Sequence, residues 1–209
     1  GMGGWIKGDR EVLLYDEYNV WAVKPDGKAA RKLTEGEKDE TVYRITRLDF
    51  EDPFLDDSKP IYLTTYGDKT KKTGYAKYEK GKLSQLISED AQVSRLTKAA
   101  DADWFTYTKQ NFDKSPALYL TQNFKNPELL LATNPQQNDF YWGKSELVSF
   151  TNAKGKKMQG ALFYPANYEP GKQYPMIVYI YEILSNTVNS YTTPSQRSAY
   201  NTTNFTTNG

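Results

Sequence analysis

Hydrophobic and polar residues alternate in short stretches along the first 135 residues, and turn-forming residues separate these stretches. Residues 73–79 and 82–87, for example, flank Lys80-Gly81, and alternation on both sides of a short turn that contains Gly predicts a β-hairpin. The same pattern recurs from residue 11 to residue 132. The predicted strands are residues 11–15, 18–24, 31–34, 41–50, 60–66, 73–79, 82–87, 92–98, 103–108, 117–121 and 128–132.

The spacing of these strands indicates how they group into sheets. Four strands follow four strands at a period of roughly 45 residues, which is typical of the blades of a β-propeller. The sequence carries no WD or kelch signature, and the strands of a β-sandwich have a similar spacing. We predict a mainly β fold of consecutive four-stranded antiparallel blades, an incomplete propeller, with Trp21 and Trp104 buried between sheets.

The pattern changes after residue 138. Residues 147–152 and 158–164 flank Lys154-Gly155-Lys156 and predict another hairpin. Residues 174–181 form a nearly continuous apolar run, which predicts a strand buried on both faces, as in an α/β sheet. No element is predicted in the polar residues 185–209, so we expect the chain to stop inside a domain. The predicted domains are residues 1–140, the blades, and residues 141–209, the first strands of an α/β domain.

Composition limits the chemistry of the chain. It contains no His and no Cys, so neither Ser-His-Asp nor Cys-His catalysis is available within it, and disulfides and thiolate metal sites are excluded. With 27 Lys and Arg against 26 Asp and Glu, the charge balance gives no electrostatic reason to expect nucleic acid or an anionic membrane as a partner. No apolar run is long enough for a membrane span. No cofactor and no metal are predicted.

Several polar clusters are weaker candidates, and solvated turns explain each of them better. Five acidic residues are candidates for a calcium-binding loop: Asp49, Glu51, Asp52, Asp56 and Asp57. Their loop lacks the Gly and the terminal Glu that an EF-hand requires. Four more are candidates for a glycosidase pair: Glu89, Asp90, Asp101 and Asp103. Lys69, Lys71 and Lys72 predict a solvated hairpin tip. Asn201 and Asn204 begin sequons in an Asn/Thr-rich stretch, where such matches arise by chance.

The N-terminal residues carry no predicted structure. Gly1-Met2-Gly3-Gly4 looks like an expression remnant ahead of an initiator Met, and no secretory signal follows it. No strand is predicted there. The compartment of the protein is therefore left open.

Two parts of the sequence resemble the prolyl oligopeptidase family of serine peptidases, and most closely its bacterial dipeptidyl-peptidase-IV-like branch. Residues 16–21, Asp-Glu-Tyr-Asn-Val-Trp, and the later Leu-Thr-Glu-Gly of residues 33–36 are similar to its propeller repeat, with Asn19 in place of a second Asp. Residues 146–150, 162–165 and 174–178 are similar to the crossing from its propeller to its α/β-hydrolase domain.

The resemblance implies that the chain is a middle fragment of such a peptidase. The parent enzyme would release dipeptides or cleave short peptides, with a peptide as its substrate, and would be periplasmic or secreted. The chain holds no Gly-x-Ser-x-Gly and no His, so the resemblance implies that it lacks the catalytic triad and is inactive alone.

The resemblance also implies one catalytic group. Tyr181 matches the tyrosine that donates its hydroxyl to the oxyanion hole in the dipeptidyl-peptidase-like branch. The family's following Gly-Gly-Pro is replaced by Glu182-Ile183-Leu184, and this departure leaves Tyr179 as the alternative donor.

A second hypothesis is a stand-alone propeller-like binding module without catalytic activity. The apolar run at residues 174–181 favours the peptidase fragment, because a hydrolase sheet begins with such a strand and a binding module does not need one. In either case an incomplete propeller leaves apolar faces bare, so we expect the chain to self-associate.

Overall fold

The computed structural model describes residues 1–207, which form three four-stranded antiparallel sheets, a separate hairpin and short helices. The strands of each sheet follow one another in sequence order. The first sheet holds β1 (Met2–Trp5), β2 (Val12–Tyr15), β3 (Val20–Val23) and β4 (Ala30–Lys32). The second holds β5 (Thr41–Thr46), β6 (Ile61–Gly67), β7 (Thr73–Glu79) and β8 (Lys82–Glu89). The third holds β9 (Gln92–Lys98), β10 (Phe105–Asn111), β11 (Lys114–Thr121) and β12 (Glu128–Ala132).

The remaining elements follow the third sheet, apart from one short 3-10 helix between the first two sheets. The hairpin pairs β13 (Ser145–Thr151) with β14 (Lys157–Phe163). The helical turns are η1 (Gly36–Lys38), η2 (Pro135–Asp139), η3 (Ser185–Thr187) and α1 (Thr202–Thr207). No helix in residues 1–207 is long and apolar enough to cross a membrane.

The chain divides into two compact units. The first unit contains residues 1–108 and 119–128, and the second contains residues 109–118 and the chain from residue 129 onward. The boundary passes through the hairpin of β10 and β11, so the third sheet contributes residues to both units.

The sheets are consecutive blades, as the strand spacing predicts. In the second blade, the burial of β6 alternates along the strand, with Ile61, Leu63 and Thr65 buried. One apolar cluster lies between the first and second blades, and its buried residues come from both. They are Ile6, Leu13, Val20, Ala22, Leu33, Tyr43, Ile61, Leu63 and Ala76. Facing apolar sheets, rather than one closed two-layer sandwich, therefore hold the first unit together.

Aromatic side chains form a second apolar cluster, between the second and third blades. Tyr107 is fully buried, and its ring stacks on Tyr119 and on Phe124 with centroid distances of 5.5 and 6.1 Å. The other buried members are Tyr75, Ile87, Val93, Leu96 and Phe105. This use of large rings explains how a chain that is only 38% hydrophobic fills its core.

Two predictions about the blades were wrong. Met2–Trp5 forms β1 and pairs with β2, and the sequence pattern did not indicate this strand because two of its four residues are Gly, which is depleted in strands. Trp104 is not buried between sheets, since 40% of it is exposed. Trp21 is half-buried, and its indole Nε1 donates to the Asp16 carboxylate at 2.7 Å.

The strand predicted at residues 174–181 is absent. These residues belong to no sheet, and those from Met176 to Tyr181 are all exposed. A strand buried on both faces needs neighbouring strands at its edges and cover on both sides. The described part of the chain supplies neither for these residues, so the apolar run remains outside any core.

The polar residues after 184 are more ordered than predicted. Val188, Asn189, Thr203 and Thr206 are buried, and Asn201 caps α1 by accepting a hydrogen bond from the Asn204 main-chain N–H at 3.1 Å. Side-chain-to-backbone bonds of this kind carry no hydrophobic period, which is why the sequence pattern did not indicate them.

Candidate functional site

The candidate site lies in the second unit, on the chain that leaves the hairpin of β13 and β14. The two strands pair in continuous antiparallel register, from Ser145 opposite Phe163 to Thr151 opposite Lys157. Asn152 closes the turn by accepting hydrogen bonds from the main-chain N–H groups of Lys154 and Lys156, at 3.0 and 2.9 Å. The paired strands and the closed turn thereby hold the end of β14, from which the residues of the candidate site continue.

A cluster of tyrosines surrounds Lys144 at the base of this hairpin. The Lys144 ammonium lies 4.6 Å from the ring centroid of Tyr164 and 5.8 Å from that of Tyr168, which is the range of cation–π attraction. The Tyr164 hydroxyl donates to the Glu146 carboxylate at 2.6 Å, and this bond raises the pKa of Tyr164. Tyr174 packs on Tyr168 with ring centroids 5.4 Å apart.

The apolar segment, residues 174–181, continues from this cluster into solvent. Its first residue is anchored, because the Tyr174 hydroxyl accepts a hydrogen bond from the Glu169 main-chain N–H at 3.0 Å. Tyr179 contacts the ring of Tyr200 at 5.3 Å and is 54% exposed. Tyr181 is 80% exposed.

The two predicted site residues are therefore both accessible at the end of the apolar segment. Within residues 1–207, neither the Tyr179 nor the Tyr181 hydroxyl has a hydrogen-bond partner. A phenolic O–H stabilises an oxyanion only where it is held against the developing charge. The role of Tyr181 as an oxyanion donor, with Tyr179 as the alternative, stays a prediction.

Sequence reasoning missed a set of contacts between residues that flank the apolar segment on both sides in the sequence. The Trp142 and Tyr191 rings stack at 5.6 Å with an interplanar angle of 8°. The Tyr191 hydroxyl accepts a hydrogen bond from Asn134 Nδ2 at 2.6 Å, and Ser145 donates to the Val188 carbonyl at 2.6 Å. Trp142 and Tyr191 were the available signal, since aromatics outside a predicted strand usually mark a packing site.

The acidic loop is a series of turns, as predicted. The Asp49, Asp52 and Asp56 carboxylates accept hydrogen bonds from the main-chain N–H two residues later, at 3.0, 2.9 and 3.0 Å, which is the pattern of Asx-turns. Asp57 forms an ion pair with Arg10. In residues 1–207, no group of three or more acidic residues is placed to hold a metal ion.

The four acids considered for glycoside chemistry lie in two pairs that are far apart. Glu89 and Asp90 precede β9, whereas Asp101 and Asp103 follow it. A strand of seven residues separates the pairs by roughly 23 Å, but a glycosidase needs its two carboxyl groups within about 10 Å. Asp103 instead forms an ion pair with Lys98 at 3.2 Å.

The basic hairpin tip is less solvated than predicted. Lys69 and Lys72 are exposed, but only 4% of the Lys71 side chain is accessible, and its ammonium donates to the Asp68 carbonyl. The ammonium also lies 5.7 Å from the Tyr66 ring centroid. Lys71 thus closes the turn between β6 and β7 and does not form part of a phosphate site.

Comparison with known proteins connects this architecture to peptidases. No protein-family profile and no curated protein matches the sequence. A provisionally assigned dipeptidyl aminopeptidase IV from Bacteroides ovatus matches 85% of the chain at 19% identity and a TM-score of 0.63. For dipeptidyl peptidase 4 from Porphyromonas gingivalis the values are 83%, 11% and 0.59, and for a post-proline cleaving enzyme from Rickettsia typhi they are 81%, 13% and 0.53.

The fold is similar to a segment of the dipeptidyl peptidase IV and prolyl oligopeptidase enzymes. This finding confirms, for the fold, the resemblance that the sequence indicated. The matched part is 28%, 25% and 26% of those three structures, so the chain spans about a quarter of their length.

Proposed function

We propose that the chain is a segment of a serine peptidase of the dipeptidyl-peptidase-IV-like type. Residues 1–140 would be propeller blades, and residues 141–209 would begin the α/β-hydrolase domain. The observation that carries this proposal is the succession of four-stranded blades, then the β13–β14 hairpin, in a chain whose structural neighbours are peptidases of this kind. A peptide would be the substrate of the longer enzyme.

The proposal includes the inactivity of the isolated chain. An acyl-transfer peptidase of this type needs a serine nucleophile with a histidine as its base, and the chain contains no His. Purified protein should not hydrolyse chromogenic Xaa-Pro or Xaa-Ala dipeptides. It should also show no labelling by a fluorophosphonate above the level of a heat-denatured sample, and specific labelling would contradict the proposal.

The decisive experiment is to sequence the reading frame beyond the codon for Gly209. We expect a Gly-x-Ser-x-Gly motif about a helix and two strands downstream, followed by Asp and then His. A frame that closes without this motif would contradict the peptidase assignment and favour a stand-alone binding module.

Tyr181 has a role that can be tested in the longer product of that frame. Loss of one oxyanion donor typically lowers kcat about 10²- to 10³-fold, and we expect Tyr181→Phe to do so with little change in KM. Tyr179→Phe is the matched control, because it removes a hydroxyl two residues away. The reverse result would assign the role to Tyr179.

A further inference from the structure

The apolar segment has the properties of a strand without a partner. Within residues 1–207, no main-chain N–H from residue 173 to residue 183 donates to a carbonyl, and none of these residues has a positive φ. Five of the six residues from Met176 to Tyr181 are Ile, Val or Tyr, which favour strands. Unpaired groups on such a stretch form a ready template for pairing with another chain.

The charges at the two ends of the segment define one pairing. Lys172 precedes the segment and Glu182 follows it, and no charged residue lies between them. We propose that two copies of this 209-residue chain, without the further sheet strands that the longer peptidase would supply, pair antiparallel through this segment, about a two-fold axis at Ile177. Residues whose numbers sum to 354 then face each other, so Lys172 of each copy lies opposite Glu182 of the other. Opposite charges across a strand pair stabilise it.

Pro175 fits this register. The symmetry places Pro175 opposite Tyr179 and Ile177 opposite its own copy, two residues apart on the same strand. In the proposed dimer, the main-chain groups of the Ile177 pair point away from the partner. Because the two kinds of pair alternate along a strand, the same holds for the Pro175 pair. The missing N–H of Pro175 then costs no hydrogen bond, and the pairs 174/180 and 176/178 carry the ladder.

Other pairings lack this complementarity. Parallel, in-register stacking would place Glu182 against Glu182 and Lys172 against Lys172, which destabilises a strand pair. The edge strand β12 also exposes Leu129, Leu130 and Leu131, but its one charged residue, Glu128, has no basic residue at the other end of the strand. Lys172 already contacts Glu169 at 2.6 Å, but both side chains are about 60% exposed, and exposed pairs of this kind are weak enough to exchange.

Single-cysteine variants test the register, because the chain has no Cys of its own. In the proposed dimer the two copies of residue 177 have Cα atoms about 4.5 Å apart, within disulfide range. The two copies of residue 180 are about 20 Å apart. Mild oxidation should therefore cross-link Ile177→Cys into a dimer, and Ile180→Cys should remain monomeric on a non-reducing gel. The two positions are comparably accessible, at 69% and 86%.

The possible results separate the pairings. Equal cross-linking of both variants would indicate parallel stacking, and cross-linking of neither would indicate that the segment does not pair. Either result overturns the proposal, and neither bears on the peptidase assignment, which the reading frame decides. Circular dichroism of both variants should match the unmodified chain, since neither side chain is in a core.

A charge swap tests the role of the two end residues. Lys172→Glu or Glu182→Lys alone should raise the dimer dissociation constant on the order of tenfold, measured by sedimentation against the 23.9 kDa chain mass. The double variant Lys172→Glu/Glu182→Lys should restore it, and Glu169→Gln serves as the control that leaves the pair intact. Failure of the double variant to recover, or a monomer at all concentrations up to 100 µM (roughly a thousandfold above a tight dimer constant), would overturn the proposal.

Discussion

Asn19 is the residue on which the first blade's closing turn depends. It is 3% exposed, and its Oδ1 accepts hydrogen bonds from the Thr34 hydroxyl at 3.1 Å and the Gly36 main-chain N–H at 2.7 Å. Its Nδ2 donates to the Glu37 carboxylate at 2.8 Å. The close approach also requires Gly36, since a Cβ there would lie 1.9 Å from the Thr41 carbonyl oxygen.

Both ends of the Asn19 amide are therefore used. Asn19→Asp keeps the acceptor but loses the donor and places a carboxylate beside Glu37. We expect a loss of roughly 1–3 kcal/mol in the free energy of unfolding at pH 7, measured by urea denaturation. Asn123→Asp is the control, because that exposed side chain is used only as an acceptor, from Lys125 N–H at 3.0 Å. Equal effects of the two variants would contradict this account.

Glu37 gives the same turn a dependence on pH. Hydrogen bonds from Lys32, the main chain and Asn19 lower the pKa of Glu37 from 4.5 to about 2. A carboxyl group with a lowered folded pKa stabilises the fold above its unfolded pKa, and the stabilisation is lost as the pH falls towards the folded value. Unfolding midpoints should therefore drop less between about pH 4.5 and pH 2 in Glu37→Gln than in the unmodified chain. Parallel pH profiles would exclude a contribution from Glu37.

At the scale of the strand, two tyrosines connect successive blades through the main chain. The Tyr15 hydroxyl on β2 accepts a hydrogen bond from the Ile45 N–H of β5 at 3.1 Å. The Tyr75 hydroxyl on β7 accepts one from the Leu96 N–H of β9, also at 3.1 Å. Arg95, the residue before Leu96, has a φ of 56°, which lies in the left-handed region that residues other than Gly rarely adopt.

The hydroxyl of Tyr75 should be worth more than that of Tyr107. Tyr75→Phe leaves the Leu96 N–H buried without an acceptor, so we expect a loss of about 1–2 kcal/mol in unfolding free energy. The Tyr107 hydroxyl is buried without a partner in the described residues, and burial raises the pKa of Tyr107 to about 12. Tyr107→Phe should leave stability unchanged or raise it, because it removes an unsatisfied group. Thermal unfolding of both variants measures the difference, and a larger loss for Tyr107→Phe would contradict this ranking.

Strand positions were predictable because local alternation and turn residues determine them. The bounds of β7 and β9 match the predicted residues 73–79 and 92–98, and the other strands predicted between residues 11 and 164 overlap observed ones within a few residues. The contacts between blades were not predictable, since Tyr15 and Tyr75 look like any other strand tyrosine until their neighbours are known. Residues 174–181 misled the prediction because apolarity reports a need for burial and does not report whether the chain supplies the cover.

For the candidate site, sequence reasoning indicated the residues and left their surroundings undetermined. Tyr179 and Tyr181 were selected by their position after a motif, and their exposure depends on strands that the described chain does not contain. The anchoring pair Trp142 and Tyr191 lies 49 positions apart in sequence. No local pattern relates two residues at such a separation.

At the scale of the whole molecule, exposed apolar side chains and unpaired main-chain groups are distributed unevenly. In the first unit, sheet ladders hold each blade together and two apolar clusters connect successive blades, whereas residues 174–183 belong to no ladder and no apolar cluster. Resistance to local opening follows such contacts. The second unit should therefore open to a protease at this stretch before the blades do.

Chymotrypsin should cut first after Tyr179 or Tyr181 at low protein concentration. Both residues are exposed, and the surrounding main chain is unpaired, so cleavage requires little unfolding. Mass spectrometry of early time points identifies the sites. The cuts should slow as concentration rises if the segment pairs between copies. A first cut within residues 61–98 would contradict this order of stability.

The hydroxyl bonds from Tyr15 and Tyr75 both run from a blade to the first strand of the blade that follows it in the chain. During synthesis, each tyrosine leaves the ribosome before the main-chain N–H that donates to its hydroxyl. A blade therefore forms this hydrogen bond only after about one further strand has been synthesised. Stability in such an array accumulates through nearest neighbours. Folding that proceeds from the N-terminus would then complete the tyrosine contact of each blade only after the first strand of the next blade has been added.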